Sequence, residues 1–185
     1  MYSIHEKFVG SESGLSTENI IFKLIKRKIP NKDMAGPPLE EEHCGFILIS
    51  DEKWWNKLCE RAKGGHSVYA FVRRNLVGPI KAEKLLFYVK RPSMQIKGIA
   101  DFVERVAGKA EELWKKYGGE TCIDSFDSYL KFLRGREKAT FIRFTNFREL
   151  EAPVSMRAFE KVLGISKMPR GGKYISREAL KQLIT

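Results

Sequence analysis

Two adjacent tryptophans, Trp54 and Trp55, and four runs rich in cations are the residues of this chain best suited to chemistry. Neighbouring residues on a helix point about 100° apart, so only one of the two indoles can lie squarely in a core. The other then stands at a groove wall, where it can stack on a nucleobase; covering the core with both is the plainer reading. Lys90, Arg91, Ser93 and Gln95 surround Pro92, a donor-rich turn suited to phosphate oxygens or a base edge. Asp101 follows, where a carboxylate could accept from an exocyclic amine, and Ser50 stands just ahead of the tryptophans. Arg73 and Arg74 close an apolar segment and could track a phosphate backbone. Arg143 is interleaved with Phe141, Phe144 and Phe147, most of which read as core. Lys167, Arg170 and Lys173 flank Gly171 and Gly172, and glycines let a backbone approach a phosphate closely. Solvated turns and an ordinary flexible loop would use the same residues. The phosphate-contacting set is therefore Arg73, Arg74, Lys90, Arg91, Arg143, Lys167, Arg170 and Lys173. The base-pocket set is Ser50, Trp54, Trp55, Ser93, Gln95 and Asp101.

Other chemistries have little to work with. The sequence holds no P-loop, GxSxG, HExxH or dinucleotide fingerprint. Three cysteines at wide spacing and three histidines provide no paired metal-ligand motif and no disulfide framework, so no cofactor is expected. No apolar run approaches the ~18 residues of a membrane span, and the first residues lack a signal-peptide core; a cytoplasmic protein is expected. Charge is the strongest feature of the composition. Across 185 residues the chain carries 34 Lys and Arg against 23 Asp and Glu, a net +11. Residues 1–43 hold six basic and seven acidic side chains, so the excess lies entirely in the remainder. A body this basic attracts polyanions, although a lysine-rich soluble surface has the same composition.

The elements that must position these residues follow from pattern. Residues 1–43 read as an arm and linker. They hold one apolar island, NIIFKLIKRKI, that suits a helix or a strand, and a proline- and glutamate-rich exit; the domain proper is 44–185. GFILIS is a short buried strand, and Ser50 is placed to cap a helix bearing Trp54, Trp55, Leu58 and Ala62. HSVYAFVRR alternates as a strand; KLLFYVKR and MQIKGIADFVERV form a hairpin broken at Pro92, with Gly98 marking a bulge or a close approach. Two helices, over KAEELWKKYGG and DSFDSYLKFLRG, precede the strand ATFIRFTNFREL. A short helix, a basic loop leading into a short strand, and a last helix complete the chain. Antiparallel neighbours with helices at the crossovers predict an α+β domain, a small mixed pseudo-barrel of about five strands with flanking short helices.

The hairpin KLLFYVKRPSMQIKGIADFVERV resembles that of PUA-like domains, the superfamily of PUA, ASCH, EVE and YTH domains. The opening GFILISDEKWW resembles EVE-type members, and RGGKYISREALKQL resembles the end of an uncharacterised archaeal branch. The resemblance implies a pseudo-barrel that binds RNA or reads a modified base in a groove beside the barrel. It thereby points to structured RNA, tRNA or ribosomal RNA, as partner. Some ASCH members are amidohydrolases that use a Lys, a Thr and a Glu around one cavity, and no such triad can be placed on matching positions here. A nucleobase- or nucleoside-directed hydrolase and a ribonucleoprotein assembly factor docking through its arm are the alternatives.

Overall fold

The computed structural model describes residues 44–184. The arm, its apolar island and the boundary at residue 43 lie outside the described residues. Strand β1 (Gly45–Ser50) leads into helix α1 (Glu52–Lys63), strands β2 (Val68–Arg73), β3 (Lys84–Val89) and β4 (Gln95–Lys109), and helix α2 (Ala110–Tyr117). A single 3-10 turn at Gly118–Glu120 precedes α3 (Phe126–Leu133), β5 (Lys138–Ser155), α4 (Met156–Leu163), β6 (Lys173–Ile175) and α5 (Arg177–Ile184). The class is α+β, as the pattern predicts.

The six strands form one sheet in the order β2-β5-β4-β3-β1-β6. β1 is apolar at almost every position because both of its faces are covered. It runs parallel to β3, the crossover being α1 and β2, and antiparallel to β6. Strand alternation sends Phe46 and Leu48 into a core with Trp55, Leu58, Tyr69, Phe87 and Phe144. Ile47, between them, goes into a second core with Phe159, Leu180 and Leu183 under α4 and α5. β2 divides likewise: Tyr69 and Phe71 face the first core, Ala70 and Val72 a third core beneath α2 and α3 with Tyr129 and Phe141.

β4 and β5 are long strands, of 15 and 18 residues, and they bend where their register shifts, around Gly98 and again beyond Asp101. Gly98 is both a bulge and a close approach. A Cβ there would lie 2.5 Å from Trp55 Cη2 and 3.0 Å from the Arg148 carbonyl oxygen. The expected barrel needs correcting in one respect. The described residues hold six strands, and the ladder stays open, because the end strands β2 and β6 are not paired with each other. Side chains stitch that seam instead. Arg73 Nη1 donates to the carbonyls of Gly171 (2.8 Å) and Val77 (3.5 Å), and the Tyr174 hydroxyl accepts from Ile80 N–H at 2.7 Å. Ser50 also departs from expectation. It is the last residue of β1, Asp51 occupies the N-cap position, and the Ser50 hydroxyl donates to the Asp51 carbonyl at 3.0 Å rather than capping α1.

Candidate nucleic-acid interface

The outer edge of β2 borders a cleft of about 630 Å³. Ala70 makes an isolated parallel bridge to Thr121; beyond it, among the described residues, no strand pairs with this edge. The start of α1 provides Trp54 and Leu58 on the facing side, and the end of α3 provides Phe132, Arg134 and Arg136. Lys90, Asp51, Cys122 and Arg170 complete the lining that matters chemically.

The two tryptophans divide as helix geometry requires. Trp55 is 3% exposed and packs against Phe87 and Phe147 in the first core. Trp54, half-buried, stands edge-on to Phe132 with ring centroids 5.9 Å apart, and the two form an aromatic wall. The Arg74 guanidinium lies 5.3 Å from the Phe132 centroid, and the ammonium groups of Lys53 and Lys57 stand 5.9 and 5.7 Å from the Trp54 ring.

Arg73 is the unusual residue. It is 8% exposed, yet among the described residues no carboxylate lies within ion-pair distance. Burial lowers its pKa from the ordinary guanidinium value, although an arginine remains charged at neutral pH. Its bonds to Gly171 and Val77 use Nη1 only. Opposite it on β5 stands Thr140, on the same face of the sheet. Thr140 is fully buried and its hydroxyl has no partner among the described residues. Arg74, Arg134, Arg136 and Arg170 likewise have no carboxylate partner among the described residues. Asp51, the one acidic side chain of the lining, is paired with Lys90 at 2.5 Å.

Of the residues singled out in the sequence, the cleft gathers Trp54, Arg73, Arg74, Lys90 and Arg170. The others lie elsewhere. Ser50 is buried beside the cleft and Trp55 is in the core. The Ser93 hydroxyl donates to Glu52 Oε1 at 2.8 Å, and Gln95 opens β4 between Val89 and Ser155. Asp101 accepts from Lys84 and from Asn146, which hold its carboxyl below the usual carboxylate range. Arg143 is held by Glu120 and Glu104 with its guanidinium 4.5 Å from the Tyr117 centroid. Arg91 and Lys167 are exposed on loops, and Lys173 is half-buried in β6 opposite Ile47. Phe132, Arg134 and Arg136 were not singled out. Their signal was LRGREK, cations straight after an amphipathic helix, and it reads first as ordinary charge compensation at a helix C-terminus.

Neither a family model nor a curated protein matches the chain. Solved structures do. The ASCH protein of Zymomonas mobilis superposes with a TM-score of 0.62 at 20% identity, over 76% of this chain and 93% of that one. A variant of the same protein with one serine replaced gives 0.62 at 19% identity, over 78% and 96%. Another variant, with one tyrosine replaced, gives 0.62 at 20%, over 76% and 96%. The likeness is one of fold: the described residues are folded like the ASCH protein of Zymomonas mobilis.

Proposed function

We propose that the chain binds RNA, and that the cleft along β2 is where it does so. The observation that carries this reading is the set of arginines around Arg73. A guanidinium taken out of water without an anion beside it costs several kcal/mol, so a buried, unmatched arginine facing a cleft supports an anionic ligand there. Arg74, Arg134, Arg136 and Arg170 add further unmatched cations around the same space. Trp54 and Phe132 add what a purely phosphate-binding surface has no use for, a wall on which an unstacked base can lie. The volume, about 630 Å³, suits one nucleotide rather than a duplex. Single-stranded parts of a structured RNA such as tRNA or ribosomal RNA present such nucleotides. The association of PUA-like folds with RNA points the same way.

Fluorescence anisotropy with a labelled stem-loop RNA in a salt series tests the reading. With about four to five phosphate contacts, log affinity falls with log salt at a slope of about −3 to −4. Arg134→Gln and Arg170→Gln, both at exposed positions, each make that slope shallower by about 0.7 and weaken RNAs of different sequence alike. A flat salt response, or a slope that neither substitution moves, refutes RNA binding at this cleft.

A further inference from the structure

The arrangement of charge within the cleft says which part of an RNA it takes. β2 leads along the cleft to Arg73, and there Arg73 Nη1 ties the β2–β3 loop, through Val77, to the loop before β6, through Gly171. The cleft therefore has a stitched end, and Arg170 sits beside it, next in sequence to Gly171. The aromatic pair Trp54–Phe132 lines the cleft as well, with Arg134 and Arg136 just past Phe132. Of the three guanidinium nitrogens of Arg73, Nε and Nη2 make no bond within the described residues. These two form the fork that meets two oxygens of one phosphate at once.

The balance of charge narrows the ligand further. An internal phosphodiester brings one negative charge per nucleotide, whereas the lining holds five arginines with no carboxylate partner in a space for about one nucleotide. A phosphomonoester brings a charge of about −1.5 to −2 at neutral pH and three terminal oxygens. It matches the fork and Arg170 better than a diester, and a stitched end does not obstruct a strand that stops there. Resting on the reading of the cleft as an RNA site, we propose that its Arg73 end captures a terminal phosphomonoester of an RNA strand, with the terminal base against Trp54 and Phe132.

The test uses the full chain and one internally labelled single-stranded RNA in three forms: 5′-phosphate with 3′-hydroxyl, 5′-hydroxyl with 3′-phosphate, and hydroxyl at both ends. One phosphorylated form binds about tenfold or more tightly than the hydroxyl-ended RNA, and which form does so identifies the end that is read. Arg73→Lys keeps the charge and loses the fork, so the ratio falls to about one. Arg170→Gln lowers the ratio too, and it decides the matter if Arg73→Lys does not fold. Equal binding of all three RNAs, still dependent on the cleft arginines, overturns terminal capture and leaves RNA binding standing. An end preference that neither substitution lowers places the phosphate elsewhere and also overturns it. Absence of binding to any RNA removes the underlying reading itself.

Discussion

Replacing Gly98 by alanine probes how the sheet sets α1, the helix that carries Trp54. The new Cβ would lie 2.5 Å from Trp55 Cη2, 2.9 Å from its Cζ3 and 3.0 Å from the carbonyl oxygen of Arg148. The first two distances are impossible contacts with a ring that cannot swing away, because Trp55 is 3% exposed and sits edge-on to Phe147 with centroids 5.5 Å apart. The third is tight against backbone fixed in the β4–β5 ladder. Overpacking of a core typically costs about 1–3 kcal/mol, and a methyl caught between an indole and a carbonyl belongs at the upper end. A loss of about 3 kcal/mol lowers the melting temperature by about 6–12 °C in a chain of this length. Urea denaturation measures it, as a lower midpoint at unchanged slope. The cause is isolated by Trp55→Phe, which removes the outer edge of the indole. Alone it costs ~1–2 kcal/mol through the cavity it leaves, and in the Gly98→Ala background it costs nothing or stabilises. Additive effects in the double variant, or a Gly98→Ala chain as stable as the parent, would refute the assignment of Gly98 to close packing on Trp55.

Asp101 supports a statement about pH. Hydrogen bonds from Lys84 and Asn146 hold its folded carboxyl below the ordinary value of 3.8, so its contribution is complete above that pH and disappears as pH falls through the lower, folded value. Asp101→Asn is accordingly less stable than the parent by about 0.5–1 kcal/mol at pH 7, and the gap in urea midpoint narrows as the pH falls below 3.8; a gap that does not change on acidification contradicts this. The cysteines are slow nucleophiles: burial pushes the Cys59 thiol up to about 12, helped by Glu149, and the Cys122 thiol up to about 11, while burial and Glu83 raise that of Cys44. At pH 8 the native chain reacts with iodoacetamide about a hundredfold more slowly than the urea-unfolded chain. Comparable rates would mean that a thiol is open and ionised in the fold.

What was legible in the sequence was local. The 100° step between Trp54 and Trp55 meant that only one indole could lie squarely in the core, with the other at a groove wall or covering the core, and Gly98 stood out because a glycine in a strand interior packs nothing of its own. Phe141 and Phe144 read as core and are 0% and 1% exposed. Long-range pairing was not legible. The run KYI reads as a strand, but nothing in it says that it will flank β1 and leave the sheet open. Arg73 read as a cation closing an apolar strand. It is buried because Gly171, 98 residues further along the chain, brings a carbonyl to it. Arg143 read as part of an aromatic-basic stripe, and its charge is met by Glu104 and Glu120, which come from different elements. Arg134 and Arg136 read as a helix ending; Arg134 adopts the left-handed conformation there, φ 53°, just before Gly135.

The basic character of the body therefore has two components, which composition merges. Lys57 with Asp124, Lys84 with Asp101, Lys97 with Glu52 and Arg143 with Glu104 and Glu120 are matched pairs that join separate elements. They add to the count of cations but offer little to a polyanion. Arg73, Arg74, Arg134, Arg136 and Arg170 come from three stretches of chain, and the fold places all five around one cleft without acids to meet them. Mutual repulsion and the burial of Arg73 both work against the folded state. Sequences usually relieve such conflicts by placing an acid nearby, as this one does for Arg143, and unrelieved ones concentrate where a ligand completes the balance. On the proposed reading a bound polyanion supplies that counter-charge, so saturating RNA is expected to raise the melting temperature of the chain, and Arg73→Lys, Arg134→Gln and Arg170→Gln to diminish that rise.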